Sequence, residues 1–305
     1  MRKVIGALIL VLLIVSVIVA AAVDERAPGK KRTLSGGDRI GVVYIQGVIT
    51  TQDVSGGLFG GGTDGVRGVV DALRCAEDDS SIKAVVLRLD SPGGSAAASQ
   101  EVACAVKRVK NAGKKVVVSM GDVAASGAYW IAVDADRILA DPATLTGSIG
   151  VILETVELEG LYGKIGVKKE VVKSGPYKDM GSESRPMTAQ ERVIFQTMVD
   201  DIYNQFVDQV AKGRNMPRSK VLQLADGRVF TGRQAKAAGL VDKLGDFHDA
   251  VGEAGRLAKI PGEPEIVDFG PTGFWSMLTN SVASRAPFPS EIKPGWLLCY
   301  PLTQR

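Results

Sequence analysis

Histidine is almost missing from this sequence: one residue, His248, in 305. Three cysteines, Cys75, Cys104 and Cys299, lie far apart and form no C-x-x-C pair. So few soft ligands argue against a structural zinc site, and so few cysteines against a disulfide scaffold. The odd count leaves at least one thiol unpaired, and Cys75 and Cys104, inside helical patterns, read as small core residues. Basic charge is not in surplus either. Lys and Arg number 37 against 34 Asp and Glu, and outside the first 23 residues, which hold Arg2 and Lys3, the figures are 35 and 34. That balance gives a polyanion nothing to bind, and no basic run is interleaved with aromatics, so nucleic acid is not an expected partner. With 45% hydrophobic residues the chain is not of the disordered class and is long enough to bury a core.

Long apolar runs are confined to one place. Val4 to Val23 is uncharged for twenty residues, about 30 Å of helix, which matches a bilayer core. The run exceeds a secretory h-region and so reads as an uncleaved anchor, although Ala20–Ala22 offers the small residues a signal peptidase accepts. Arg2 and Lys3 precede the span while Arg26, Lys30, Lys31 and Arg32 follow it, so charge alone leaves the orientation open. The expected organisation is a transmembrane segment over 1–23, a linker over 24–38, a catalytic domain over 39–269 and a proline- and aromatic-rich tail over 270–305.

Within the domain, Arg39–Ile49 predicts a strand broken at Gly47, and the six glycines of 54–65 predict a loop. Helix periodicity follows at Val66, Val69, Val70 and Leu73. Ala84–Leu89, apolar but for Arg88, and Val116–Val118 read as strands of a parallel sheet covered on both faces, with a helix over Ala96–Asn111 between them. Further strands are predicted at Arg137–Ala140, Ser148–Leu153, Val167–Lys173 and Glu265–Phe269. Helices are predicted near Thr155–Ile165, from the capping box Thr188/Glu191 to Gly213, and over Ser219–Ala225, Thr231–Ala238 and Phe247–Leu257. Strand and helix alternate, so the class is α/β.

One histidine in a C-terminal helical segment reads more simply as a solvated residue than as a catalytic base. A serine activated without histidine needs another base, and lysine remains. Ser126 follows a buried strand, is flanked by Ala124, Ala125, Gly127 and Ala128, and precedes a helical run whose free N–H groups suit a developing oxyanion. Read locally, Ser126 is equally a helix cap in tight packing, and Asp90-Ser-Pro-Gly-Gly94 equally a plain turn.

Four ordered motifs decide between these readings: Ser91-Pro-Gly-Gly94, Gly121-Asp-Val-Ala-Ala-Ser-Gly-Ala-Tyr129, Thr146-Gly-Ser-Ile-Gly-Val151, and the stretch Ser174–Thr188 with Lys178 at its centre. Together they resemble the signal peptide peptidase A family, membrane-bound serine proteases of the Clp/crotonase fold, over about 39–269. The resemblance implies a repeated β-β-α superhelix and a serine–lysine endopeptidase acting on released signal peptides and other membrane or unfolded peptides. Ser126 matches the family's nucleophile, Lys178 its general base and Ser148 a serine that orients the lysine. The backbone N–H groups of Gly94 and Gly127 match the oxyanion hole. It further implies no metal or other cofactor, a catalytic domain outside the cytoplasmic membrane, and a homo-oligomeric ring or dome whose sites take serine and lysine from adjacent subunits. Lysine is a demanding base: at its ordinary pKa near 10.4, only roughly one amine in a few thousand is neutral at pH 7, so the group must lose its water.

Two alternatives share the fold. An acyl-CoA enzyme of the crotonase type would hold a thioester enolate on the same backbone amides and leave Ser126 and Lys178 incidental, and an inactive membrane scaffold would use neither. A Clp-type site requires a histidine about a helix beyond the serine, where this sequence has none. Metal-free serine–lysine chemistry predicts that chelators and His248→Ala both leave peptide cleavage unchanged. Chelator inhibition reversed by zinc, or a large loss in His248→Ala, contradicts it.

Overall fold

The computed structural model describes residues 38–51 and 65–270. The expected membrane segment, the linker to residue 37, nearly all of the glycine-rich stretch and the tail after Gly270 lie outside the described residues. Among the described residues no helix is long and apolar enough to cross a membrane.

The first half runs β1 (Arg39–Gln46), α1 (Gly65–Asp78), β2 (Ile82–Ser91), α2 (Ala96–Asn111), β3 (Lys115–Ala125), α3 (Gly127–Ala132), β4 (Arg137–Ala140) and β5 (Leu145–Gly147). The second half runs α4 (Glu159–Lys164), α5 (Ala189–Gly213), α6 (Arg218–Leu222), β6 (Val229–Thr231), α7 (Gly232–Ala238), β7 (Lys243–Leu244), α8 (Phe247–Ala258) and β8 (Glu265–Asp268). The expected α/β class is what these elements form.

Strands order as β6-β5-β3-β2-β1-β8, with β4 against β3 and β7 against β4, and every pairing is parallel except β5 with β6. Successive side chains of a strand face opposite ways, and here both sets are apolar. Val85, Leu87 and Leu89 pack beneath α1, α2, α3 and α5, while Ala84 and Val86 join Ile40, Val42, Val117 and Leu139 beneath Ala250, Val251 and Ala254 of α8.

Strand β3 is the element that places the site, because it forks. Its first half, Val117–Met120, pairs with β4, and its last residues, Val123–Ala125, pair with β5. Ser126 stands where β3 ends, at the carboxyl edge of a parallel sheet, where open α/β folds bind ligands.

Several expectations need correction. Ser148–Leu153 and Val167–Lys173 are not strands: Leu145–Gly147 forms the short β5 instead, and the predicted Thr155–Ile165 helix shrinks to α4. An apolar β-branched run makes a strand only where a neighbouring strand takes up its hydrogen bonds; in the first run only the Ser148 amide, donating to the Arg228 carbonyl, and the Ile149 carbonyl, accepting from the Gly227 amide, are so engaged. From Gly150 to Gln190 no residue is buried, and Ile152 is 83% exposed. The stripe on α5 is likewise buried only in its second half, at Phe206, Val207 and Val210. Cys104 is exposed rather than in the core, because Val102, Ala103, Ala105, Val106 and Val109 take the inward positions of α2.

Leu87 is fully buried at the centre of the larger core. Leu87→Ala is expected to cost about 3 kcal/mol, read as a lower urea midpoint; a loss below about 1 kcal/mol would contradict this position in the core.

Candidate active site

Ser126 has φ +52° and ψ −120°, a backbone conformation that costs a non-glycine residue roughly 1–3 kcal/mol. Two hydrogen bonds enforce it: the Ser126 amide donates to the Gly147 carbonyl at 2.8 Å, and the Ser126 carbonyl accepts from the Trp130 amide at 2.9 Å. The first ties the end of β3 to β5. The second closes α3, whose residues are all buried. Trp130 stacks on Phe206 of α5 with ring centroids 4.7 Å apart, and the Tyr129 hydroxyl donates to the Leu240 carbonyl at 2.9 Å. Burial pushes the Tyr129 phenol well above its ordinary pKa, so it remains a donor.

The Ser91–Gly94 turn comes to the same place. Ile49 makes a lone bridge with Gly94, its amide donating to the Gly93 carbonyl at 2.9 Å and its carbonyl accepting from Ser95 at 2.8 Å. A Cβ on Gly94, at φ +157°, would lie 2.2 Å from the Ile49 carbonyl oxygen. A Cβ on Gly93, at φ +99°, would lie 2.7 Å from the Gly127 nitrogen and 2.8 Å from the Ser126 Cβ. A Cβ on Gly127 would lie 3.3 Å from the Gly94 nitrogen, so the two amides share one small patch beside Ser126. Neither amide has a hydrogen-bond partner among the described residues. Such a pair fits an oxygen that gains negative charge.

The parallel register pairs Ala125 with Gly147, so Ser126 and Ser148 are the residues that directly follow the last paired positions of β3 and β5. Ser148 also has a positive φ, +49°, and its amide donates to the Arg228 carbonyl at 2.9 Å. The Thr146 hydroxyl donates to the Ala124 carbonyl at 2.6 Å and fastens the two strands just below.

Four of the five expected residues, Gly94, Ser126, Gly127 and Ser148, are therefore together. Among the described residues no hydrogen bond joins Lys178 to any of them. It is exposed in a turn where its own amide donates to the Gly175 carbonyl and the Met180 amide to the Tyr177 carbonyl, and its ammonium has no partner among the described residues. His248 is exposed on α8 and makes no hydrogen bond to Ser126.

Sequence reasoning missed Gly93, although the doubled glycine was its signal, and Ser99, a buried hydroxyl on α2 lying against Gly127. It also missed the side chains around Lys178. Arg185 donates to both carboxylate oxygens of Asp179, at 2.9 and 3.0 Å, and to both of Glu191, while Lys173 reaches Asp179 at 2.7 Å. Glu191 is 1% exposed and caps α5, accepting from the Thr188 amide at 2.9 Å. The Arg185 hydrogen bonds hold the Asp179 carboxyl well below the usual range and bring Glu191 down to about 2.

Compared with known proteins, residues 108–261 match the model of peptidase family S49. The chain is 36% identical over 265 residues to "Putative protease MJ0651" of Methanocaldococcus jannaschii, covering 86% of this chain and 85% of that one. It is 38% identical over 237 residues to "Serine protease SPPA, chloroplastic" of Arabidopsis thaliana, covering 76% and 35%. It is 37% identical over 214 residues to "Putative signal peptide peptidase SppA" of Enterococcus faecium, covering 69% and 62%.

A carboxyl whose folded pKa is depressed stabilises above its unfolded value and loses that contribution as pH falls through the folded one. For Glu191 the window runs from about 4.5 down to about 2. Across it the unfolding midpoint of the native protein is expected to fall more steeply than that of Glu191→Gln; coincident slopes would contradict the ion pair.

Proposed function

The chain belongs to peptidase family S49 and is a serine-type peptidase, and from that premise we propose a membrane-anchored endopeptidase with a Ser126/Lys178 dyad. Ser126 Oγ attacks the scissile carbonyl while the uncharged Lys178 amine takes the hydroxyl proton. The oxyanion rests on the amides of Gly94 and Gly127. Collapse expels the amine product, which receives that proton, and water then hydrolyses the acyl-enzyme. Ser148 hydrogen-bonds the lysine and orients it. The observation that carries this reading is Ser126 itself, strained at φ +52° against two amides that have no hydrogen-bond partner among the described residues.

The dyad is completed between copies of the chain. Within one chain no hydrogen bond joins Lys178 to Ser126 among the described residues, and the segment that carries Lys178 buries nothing from Gly150 to Gln190 while exposing Ile152, Val156, Ile165 and Val172. So much apolar surface on one arm fits coverage by another subunit, and coverage would also remove water from the amine and favour its uncharged form. The assembly is a homo-oligomeric ring or dome, and the Clp/crotonase superhelix is the frame this reading implies for each subunit.

The apolar run Val4–Val23 anchors the enzyme in the cytoplasmic membrane by a single pass, with the catalytic domain outside the cytoplasm. Its substrates are peptides found at or in that bilayer, first among them signal peptides already released from their precursors. The name of the Enterococcus relative agrees with this substrate class. Anchor and apolar substrate then share one thin layer, which raises the rate at which they meet.

Ser126→Ala and Lys178→Ala are each expected to abolish peptide cleavage. Co-expressed, the two inactive chains should regain about a quarter of native activity, the fraction of sites that draw both intact residues from random neighbours in a ring. No recovery from mixed assemblies would mean that serine and lysine come from one chain.

A further inference from the structure

We propose that Arg185 is a positioning residue for the reaction, holding the turn that carries Lys178 against the start of α5. The inference rests on the reading of Lys178 as proton acceptor and adds a residue to that same site. Lys178 lies in an exposed polar turn, where a lysine side chain and its backbone would ordinarily wander. Here the turn is closed from both ends. Lys173 Nζ reaches over it to the Pro176 carbonyl at 3.2 Å and to Asp179 at 2.7 Å, and Asp179 is the residue next to Lys178.

Arg185 then fixes Asp179 to the body of the domain. Its Nε and Nη2 fork onto the Asp179 carboxylate, and Nη2 also reaches the Asp179 carbonyl at 3.3 Å. Its Nη1 donates to the Pro186 carbonyl at 3.1 Å and to Glu191 Oε2 at 2.9 Å, and Nη2 donates to Glu191 Oε1. Every nitrogen of the guanidinium is engaged, and a planar fork is the group that can serve two carboxylates at once. Glu191 belongs to a capping box on α5, and α5 is anchored further along by Phe206 against Trp130, four residues after Ser126. Lys178 is thus referred to the same helix that supports the serine strand's end. A reacting group displaced by about 1 Å loses on the order of 100-fold in rate, so loosening this clamp should act on the chemical step.

Full-length assembled protein carrying Arg185→Ala is compared with native enzyme and with Lys178→Ala on a fluorogenic peptide, with particle size measured alongside. Expected are unchanged particle size, kcat lower by about 100-fold and KM within about twofold, the pattern of an interaction needed in the transition state. The Arg185 side chain is 27% exposed, so millimolar guanidinium should enter the gap and restore kcat about tenfold, whereas methylammonium should not, and Lys178→Ala should respond to neither. Native kcat in Arg185→Ala, a rise in KM alone, or equal rescue by methylammonium overturns the proposal. If Arg185→Ala fails to assemble, Asp179→Asn keeps the shape while removing the charge; it should lose kcat at unchanged size, and native kcat there also overturns the proposal. Activity retained by Lys178→Ala would instead remove the lysine reading on which the inference stands, a result separable from a dead Lys178→Ala beside a fully active Arg185→Ala.

Discussion

The Ser126 amide donates to the Gly147 carbonyl, and that bond holds a serine in a backbone conformation that L-residues avoid. Its acceptor belongs to β5, which exists because β3 outruns β4 and needs a second neighbour for its last three residues. Strand β3 in turn is long because its side chains are apolar toward both layers of helix. The small residues around the turn follow from the same geometry. Gly93, Gly94 and Gly127 approach one another so closely that a Cβ on any of them would meet backbone or a buried hydroxyl. What lies between them is two amides without hydrogen-bond partners among the described residues.

The turn that carries Lys178 is built differently. Ser126 is fixed by sheet and core, whereas that turn is held by charge at Asp179. Asp179, Arg185, Lys173 and Glu191 form an alternating cluster on an arm that lacks a hydrophobic core of its own. The more exposed pairs contribute little to global stability, unlike the buried Glu191 carboxylate, but several bidentate contacts on one turn restrict its shape. An enzyme that assembles its site from two copies, as proposed above, would gain from a lysine already oriented before assembly.

Much of the architecture was legible in the sequence. The runs of β1 to β3 read as strands because they are apolar on both faces, and the capping box at Thr188 and Glu191 marks the start of α5. Strands β6 and β7, of three and two residues, were not legible, since their pairing partners alone define them. Ser148–Leu153 and Val167–Lys173 misled for the opposite reason: their composition suits a strand, yet among the described residues they join no strand of the sheet. Of the expected site residues, Ser126, Gly94 and Gly127 were suggested by small residues after strands together with family resemblance, and Ser148 by the resemblance alone. Arg185 was not, because one arginine in a polar stretch gives no sign of the two carboxylates it will bridge.

The central claim is that Ser126 is a nucleophile activated by Lys178. Treating the assembled protein with a fluorophosphonate and measuring intact mass and peptide map tests it most directly. The account predicts a single adduct, on Ser126, that disappears in Lys178→Ala. An adduct on another serine, or Ser126 labelled equally with and without the lysine, would contradict it.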